Sequence, residues 1–291
     1  MNSLECKMLE ALKRLKGEYG ALAVKVEFES EGTRTEELLR LVELVFKADM
    51  KLFIKIGGCE AITDLNLCKL FGADAIVAPM IESPFAVKKF IKAAHKVYGN
   101  ELSEIKWMIN LETKTARENV DSILDAGKDF LSAVAIGRSD LAASMELDKS
   151  AVNSDEIFSA TKYLMKKAKS HGLIVSIGGN VNEKIIPFLS KMNEFPDRIE
   201  TRKIVFAFDG NTVLFKKAIL AALRFEMMYL ENNISLCSAY SRENHKRLLT
   251  LKERITHNNQ NESGGGSNRS LSFNLLFSLM MPSREESGVA A

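Results

Sequence analysis

Two acids and a lysine stand where a parallel-sheet protein could do chemistry. Glu112 closes the apolar run IKWMINLE (105–112), and Asp140 ends LSAVAIGRSD (131–140). Two strand-end carboxylates on neighbouring strands can hold one hard divalent cation. Magnesium takes one or two carboxylates and completes its shell with water and substrate oxygens. Next to a 2-keto acid such an ion polarises the carbonyl and stabilises an enolate, which is what cleaving the adjacent carbon–carbon bond requires. Lys55 lies within KLFIKIGG (51–58), among apolar neighbours. A lysine there fits an ion pair, a carboxylate clamp or a Schiff-base nucleophile. Lys25, Glu27 and Glu29 alternate along ALAVKVEFE (21–29) and so share one strand face. Buried without partners they would be costly, so they call for a cation or for each other. The structural reading competes at each position, because a strand-end acid can simply pair with lysine or arginine.

The elements that must position these residues follow from hydrophobic periodicity. Residues 4–16 carry Leu4, Met8, Leu9, Leu12 and Leu15 on one helical face. Apolar strands are expected at 21–29, 51–58, 75–80, 105–112, 131–140, 173–179 and 198–208. Helical patterns alternate with them at 34–48, 60–71, 84–98, 114–126, 154–171, 182–193 and 211–232. Strands alternating with helices imply βαβ units and a parallel sheet. The expected fold is α/β, a (β/α)8 TIM barrel. Seven strands are visible where eight are needed, so the first strand is expected to be atypical or missing. An open doubly wound sheet is the rival, but no GxGxxG follows the first strand. The division expected is an N-terminal helix over 1–20, a barrel over 21–233 and a flexible C-terminal extension over 234–291. In that extension HNNQNESGGGSNRS is polar and Gly/Ser-rich, and LSFNLLFSLMM (271–281) is too short to span a bilayer.

Composition removes several classes. Forty Lys and Arg against 38 Asp and Glu leave a net charge of +2, without the basic stripe of a nucleic-acid binder. Lys88, Lys89, Lys92 and Lys96 recur at the spacing of a solvated helix face. Cys6, Cys59, Cys68 and Cys237 show no metal-binding spacing. The polar N-terminus is no signal peptide, and no apolar run is long enough for a membrane span. A cytoplasmic protein is expected. His95, His171, His245 and His257 all fall away from strand ends, so no general base is evident.

The runs IVAPMIESP (76–84), INLET (109–113) and AIGRSDLAASM (135–145) resemble the HpcH/HpaI aldolase and citrate lyase β-subunit family. The resemblance covers roughly residues 20–232 and also takes in VFAFDGNTVLFKKAI (205–219). It implies a (β/α) barrel that makes or breaks carbon–carbon bonds next to a small keto acid, using Mg2+ or Mn2+. On the matching positions it implies Glu112 of NLET and Asp140 of GRSDL as metal ligands. It also implies a substrate carboxylate held by the backbone of Gly137, Arg138 and Ser139. Glu29 of EFES matches the acid of the family's early strand and is expected to assist catalysis. Related barrels exchange their last helix, so a homo-oligomer is expected. Two positions depart from the pattern: Lys55 replaces an arginine that grips the keto-acid carboxylate, and Ser30 replaces a base histidine. Lysine is a point charge and cannot form the two-pronged grip of a guanidinium.

Overall fold

The computed structural model describes residues 1–235. The compact unit runs from Met1 to Ile234, and a second unit, Ser235–Ala291, falls almost wholly outside the described residues. The expected flexible extension and the apolar segment 271–281 therefore lie outside them.

The chain opens with α1 (Ser3–Tyr19). Asn2 caps its N-terminus, its side chain accepting from Glu5 N at 2.8 Å while Glu5 accepts from Asn2 N at 2.7 Å. Gly20 ends the helix in the left-handed conformation (φ 68°) and turns the chain straight into β1 (Ala21–Glu27). Met8, Leu12 and Leu15 of α1 belong to the same buried core as the barrel helices.

The expected alternation then unfolds as α2 (Thr35–Lys47), β2 (Lys51–Lys55), α3 (Ile62–Phe71), β3 (Ala75–Ala78) and α4 (Pro84–Tyr98). It continues with β4 (Lys106–Leu111), α5 (Lys114–Glu118), α6 (Val120–Gly127), β5 (Ala133–Gly137), α7 (Arg138–Ser144), α8 (Asp155–Ser170), β6 (Ile174–Gly178) and the short α9 (Ile186–Ser190). β7 (Arg198–Glu200), β8 (Ile204–Ala207) and α10 (212–235) complete the described chain.

The eight strands close in sequence order into a barrel. β1 to β7 run parallel, and β8 is antiparallel to both of its neighbours, β7 and β1. The segment 198–208, expected as one strand, is thus a hairpin. Only Thr201, Arg202 and Lys203 separate β7 from β8, far fewer than the dozen or so residues a parallel crossover needs. The turn is closed by Thr201 N donating to Ile204 O at 2.9 Å and Ile204 N donating to Thr201 Oγ1 at 3.0 Å. The atypical strand is therefore the reversed β8, which fills the gap between β7 and β1.

Alternation sorts the barrel interior into layers. Ala23, Phe53, Ala75, Val77, Met108, Ala133, Ala135 and Val205 form one dry cluster. Two residues further along the strands, the lining turns polar: Lys25, Glu27, Lys55, Asn110 and Glu200. The outward faces of the strands pack on the helices in a much larger apolar core.

Candidate active site

The polar layer opens into a cavity of about 420 Å³ at the C-terminal ends of the parallel strands. This is the end at which barrel enzymes build their sites, since seven strand termini converge there. Lys55, Glu112, Gly137 and Asp140 all line it.

Glu112 directly follows β4 and is 1% exposed. Its Oε1 accepts from Met80 N at 3.0 Å and its Oε2 from Asn110 Nδ2 at 2.9 Å. Met80 adopts the left-handed conformation (φ 50°), unusual for a residue with a side chain, and from it presents its N–H to Glu112. Gly137 at the end of β5 makes room for this carboxylate: a Cβ there would lie 2.5 Å from Glu112 Oε2. Burial raises the Glu112 carboxyl above its ordinary range. The Lys55 charge and the Met80 hydrogen bond pull against that, and the charge of Asp140 adds to it. Asp140 is exposed, sits in the first turn of α7 and has no hydrogen-bond or ion-pair partner among the described residues.

Around these acids runs a chain of alternating charges. Lys55 Nζ is 3.3 Å from Glu27 Oε2, and Lys25 Nζ is 3.2 Å from Glu27 Oε1 and 3.0 Å from Glu200 Oε2. Ser30 Oγ donates to Glu27. Burial opposes ionisation of Glu27, but Lys25 and Lys55 outweigh it and hold the carboxyl down at about 2. Burial likewise opposes the charge on Lys25, and Glu200 and Glu27 outweigh it, so its ammonium titrates above the ordinary lysine range.

Other predicted site residues fall differently. Glu29 lies beyond the end of β1, is exposed and borders a separate surface hollow with Gly57, Gly58 and Cys59. Once the chain leaves the strand, alternation no longer aims its side chain inward, and Glu27 is the acid that reaches the cavity. The Arg138 side chain is fully buried. It donates to Gly178 O at 3.0 Å, Gly179 O at 2.7 Å and Asn153 Oδ1 at 2.6 Å, and lies over the Phe188 ring at 4.9 Å. Burial without an acid partner lowers its guanidinium to about 9. It braces the loops after β5 and β6, so only its backbone is available to a ligand. Gly179 (φ 82°) passes close above that backbone: a Cβ there would meet Ser139 N at 2.5 Å and Arg138 N at 2.7 Å.

Sequence reasoning missed Glu200, hidden inside a segment read as one strand, and Arg202, Asn180, Asn182 and Glu226 at the cavity wall. The Arg198–Ile199–Glu200 alternation was the available signal for Glu200.

The residues fit a divalent ion of the magnesium type. Glu112 and Asp140 face one cavity, and each carboxylate oxygen of Glu112 keeps lone-pair capacity beyond its single hydrogen bond. Among the described residues no three His, Cys, Asp or Glu side chains form a metal cage. A site of two carboxylates completed by water and substrate suits magnesium and does not suit structural zinc.

The model of the HpcH/HpaI aldolase/citrate lyase family matches residues 37–187, just over half of the chain. The chain belongs to that family. Its fold is similar to that of an HpcH/HpaI aldolase/citrate lyase family protein from Burkholderia cenocepacia, at 12% identity over 74% of this chain and 99% of that one, with a TM-score of 0.52. An HpcH/HpaI aldolase from Desulfitobacterium hafniense matches at 14% identity over 62% of this chain and 85% of that one, with a TM-score of 0.49. Comparison with curated proteins finds no match. At 12% identity the Burkholderia structure speaks for the fold alone. No described helix is long and apolar enough to cross a membrane.

Proposed function

We propose that this family member is a divalent-metal-dependent carbon–carbon lyase acting on a small 2-keto acid or related carboxylate. The observation that carries this is the convergence of Glu112, Asp140 and Lys55 on one cavity, with Gly137 making room for the Glu112 carboxylate. Glu112 and Asp140 hold Mg2+ or Mn2+, which when bound supplies Lewis acidity at the 2-keto group. Lys55 attracts the substrate carboxylate, with the backbone N–H groups of Arg138 and Ser139 and the chain at Gly137 completing its cradle. Glu27 takes the supporting role expected of Glu29, because it fixes the Lys55 ammonium by an ion pair. Chelation followed by manganese add-back tests the reading: release of pyruvate from a hydroxylated 2-keto acid should fall with chelator and return with metal. Full activity in chelator refutes it.

Lys55 as a Schiff-base nucleophile would need a free amine, and the pairing with Glu27 argues against one. A Lys55 adduct after borohydride treatment with pyruvate would reverse that judgement. No histidine among the described residues lines the cavity, which favours, as a second reading, a barrel that binds a carboxylate without turning it over. Binding of manganese and pyruvate without cleavage would support it.

The protein is also proposed to be cytoplasmic and a homo-oligomer, with no nucleic-acid or membrane partner. Cys6, Cys59 and Cys68 are free thiols. Leu220, Leu223, Met227, Leu230 and Ile234 are exposed on α10 at three- and four-residue spacing, the seam of a helix that packs on another. Light scattering on Leu223→Glu and Met227→Glu variants should register a smaller particle.

A further inference from the structure

The chain leaving β6, from Gly178 to Asn182, lines the cavity, and one buried side chain holds its backbone. Arg138 sets one edge of its guanidinium against two successive peptide carbonyls. Its Nε donates to Gly178 O at 3.0 Å and its Nη2 to Gly179 O at 2.7 Å. Nη1 reaches back to Asn153 Oδ1 at 2.6 Å and Val152 O at 3.4 Å, which fixes the guanidinium itself. Gly179 (φ 82°) and Asn180 (φ 46°) are both left-handed, and Asn182 Nδ2 donates to Asn180 Oδ1 at 3.1 Å within the same loop.

A trans peptide carries its N–H on the side opposite its C=O. With the carbonyls of Gly178 and Gly179 turned to Arg138, the N–H groups of the same two peptide units, those of Gly179 and Asn180, are turned away from it. Neither N–H donates to an acceptor among the described residues. A cation bonded to a carbonyl also polarises the peptide and strengthens its N–H as a donor. Successive N–H groups in a turn form a concavity suited to an anion.

Resting on the reading above that the cavity receives a small carboxylic acid, we propose that the N–H groups of Gly179 and Asn180 form a further backbone subsite, donating to an anionic oxygen of that ligand, and that Arg138 is the positioning residue that aims them. Arg138 does not touch the ligand. It acts through two carbonyls, and its planar fork is what lets one side chain grip both. Lysine offers its three donors from a single point and cannot span two successive carbonyls in this way.

Backbone amide NMR on the full chain with magnesium, using pyruvate as the probe, tests this. Pyruvate should move the Gly179 and Asn180 amide protons downfield in the wild type. Arg138→Lys should abolish that movement and weaken pyruvate binding roughly tenfold by calorimetry, with magnesium binding changed by less than about twofold. Asn153→Ala leaves both carbonyl bonds in place and loosens only the Nη1 anchor. It should show a smaller loss of the same kind, and it decides the role of Arg138 should Arg138→Lys fail to fold. Variants that lose stability but keep wild-type pyruvate affinity overturn the positioning role. Pyruvate binding that leaves both amides unmoved overturns the subsite, and in either case the lyase reading stands. Absence of pyruvate binding to the wild type overturns both readings.

Discussion

Replacing Glu27 by glutamine tests the charge chain that organises the site. Glu27 sits between Lys25 and Lys55, at 3.2 and 3.3 Å, and its side chain is only 15% exposed. Folding moves its carboxyl from an ordinary 4.5 to about 2. At ~1.4 kcal/mol for each tenfold change, the charged form gains about 3 kcal/mol in the fold. The carboxyl is depressed by folding, so this contribution is complete above pH 4.5 and drains away as pH falls toward 2. Glu27→Gln conserves the shape and removes the charge. It should cost about 3 kcal/mol at pH 7, similar to breaking one side of other buried pairs. That corresponds to a melting temperature roughly 6–12 °C lower for a unit of this size. Urea unfolding of both proteins between pH 7 and pH 3 measures it, with the two curves converging at the acid end. A difference below about 1 kcal/mol at pH 7, or one that persists unchanged at pH 3, would refute the ion-pair account.

Three other perturbations separate the remaining parts of the site. Glu112→Gln should act oppositely to Glu27→Gln. Burial raises the Glu112 carboxyl, so the folded metal-free protein binds that proton more tightly and gains stability as pH falls toward 4.5. The variant should be more stable than the wild type at neutral pH without metal and lack that acid-side gain, as read by thermal unfolding in chelator; Asn110 can turn its amide to accept from the glutamine. Gly137→Ala drives a Cβ to 2.5 Å from Glu112 Oε2 and should cost about 1–3 kcal/mol in urea unfolding, together with weaker manganese binding by calorimetry. Gly179→Ala combines a positive φ with a Cβ 2.5 Å from Ser139 N, so it should cost ~1–2 kcal/mol and raise KM for the keto acid more than it lowers kcat.

Much of this molecule is legible along the chain, because period-two and period-3.6 patterns record which faces are buried. Those patterns delivered the alternating elements, the barrel, and the strand-end positions of Lys55 and Glu112, whereas Asp140, expected to end a strand over 131–140, sits in the first turn of α7 after β5 closes at Gly137. The inward pairing of Lys25 and Glu27 was also within reach, since strand geometry forces residues two apart onto one face. Tertiary structure decided what linear order cannot carry. It turned 198–208 into a hairpin, because strand direction depends on where the chain finds an open edge between β7 and β1. That reversal buries Glu200 beside Lys25, 175 residues away in sequence. It took the Arg138 side chain out of the cavity, because the nearby carbonyls of Gly178 and Gly179 could satisfy its guanidinium. It also left Glu29 outside, two residues beyond Glu27, the last residue that β1 holds in register. Local sequence specifies which way a strand faces, and only closure of the barrel specifies which charges meet inside it.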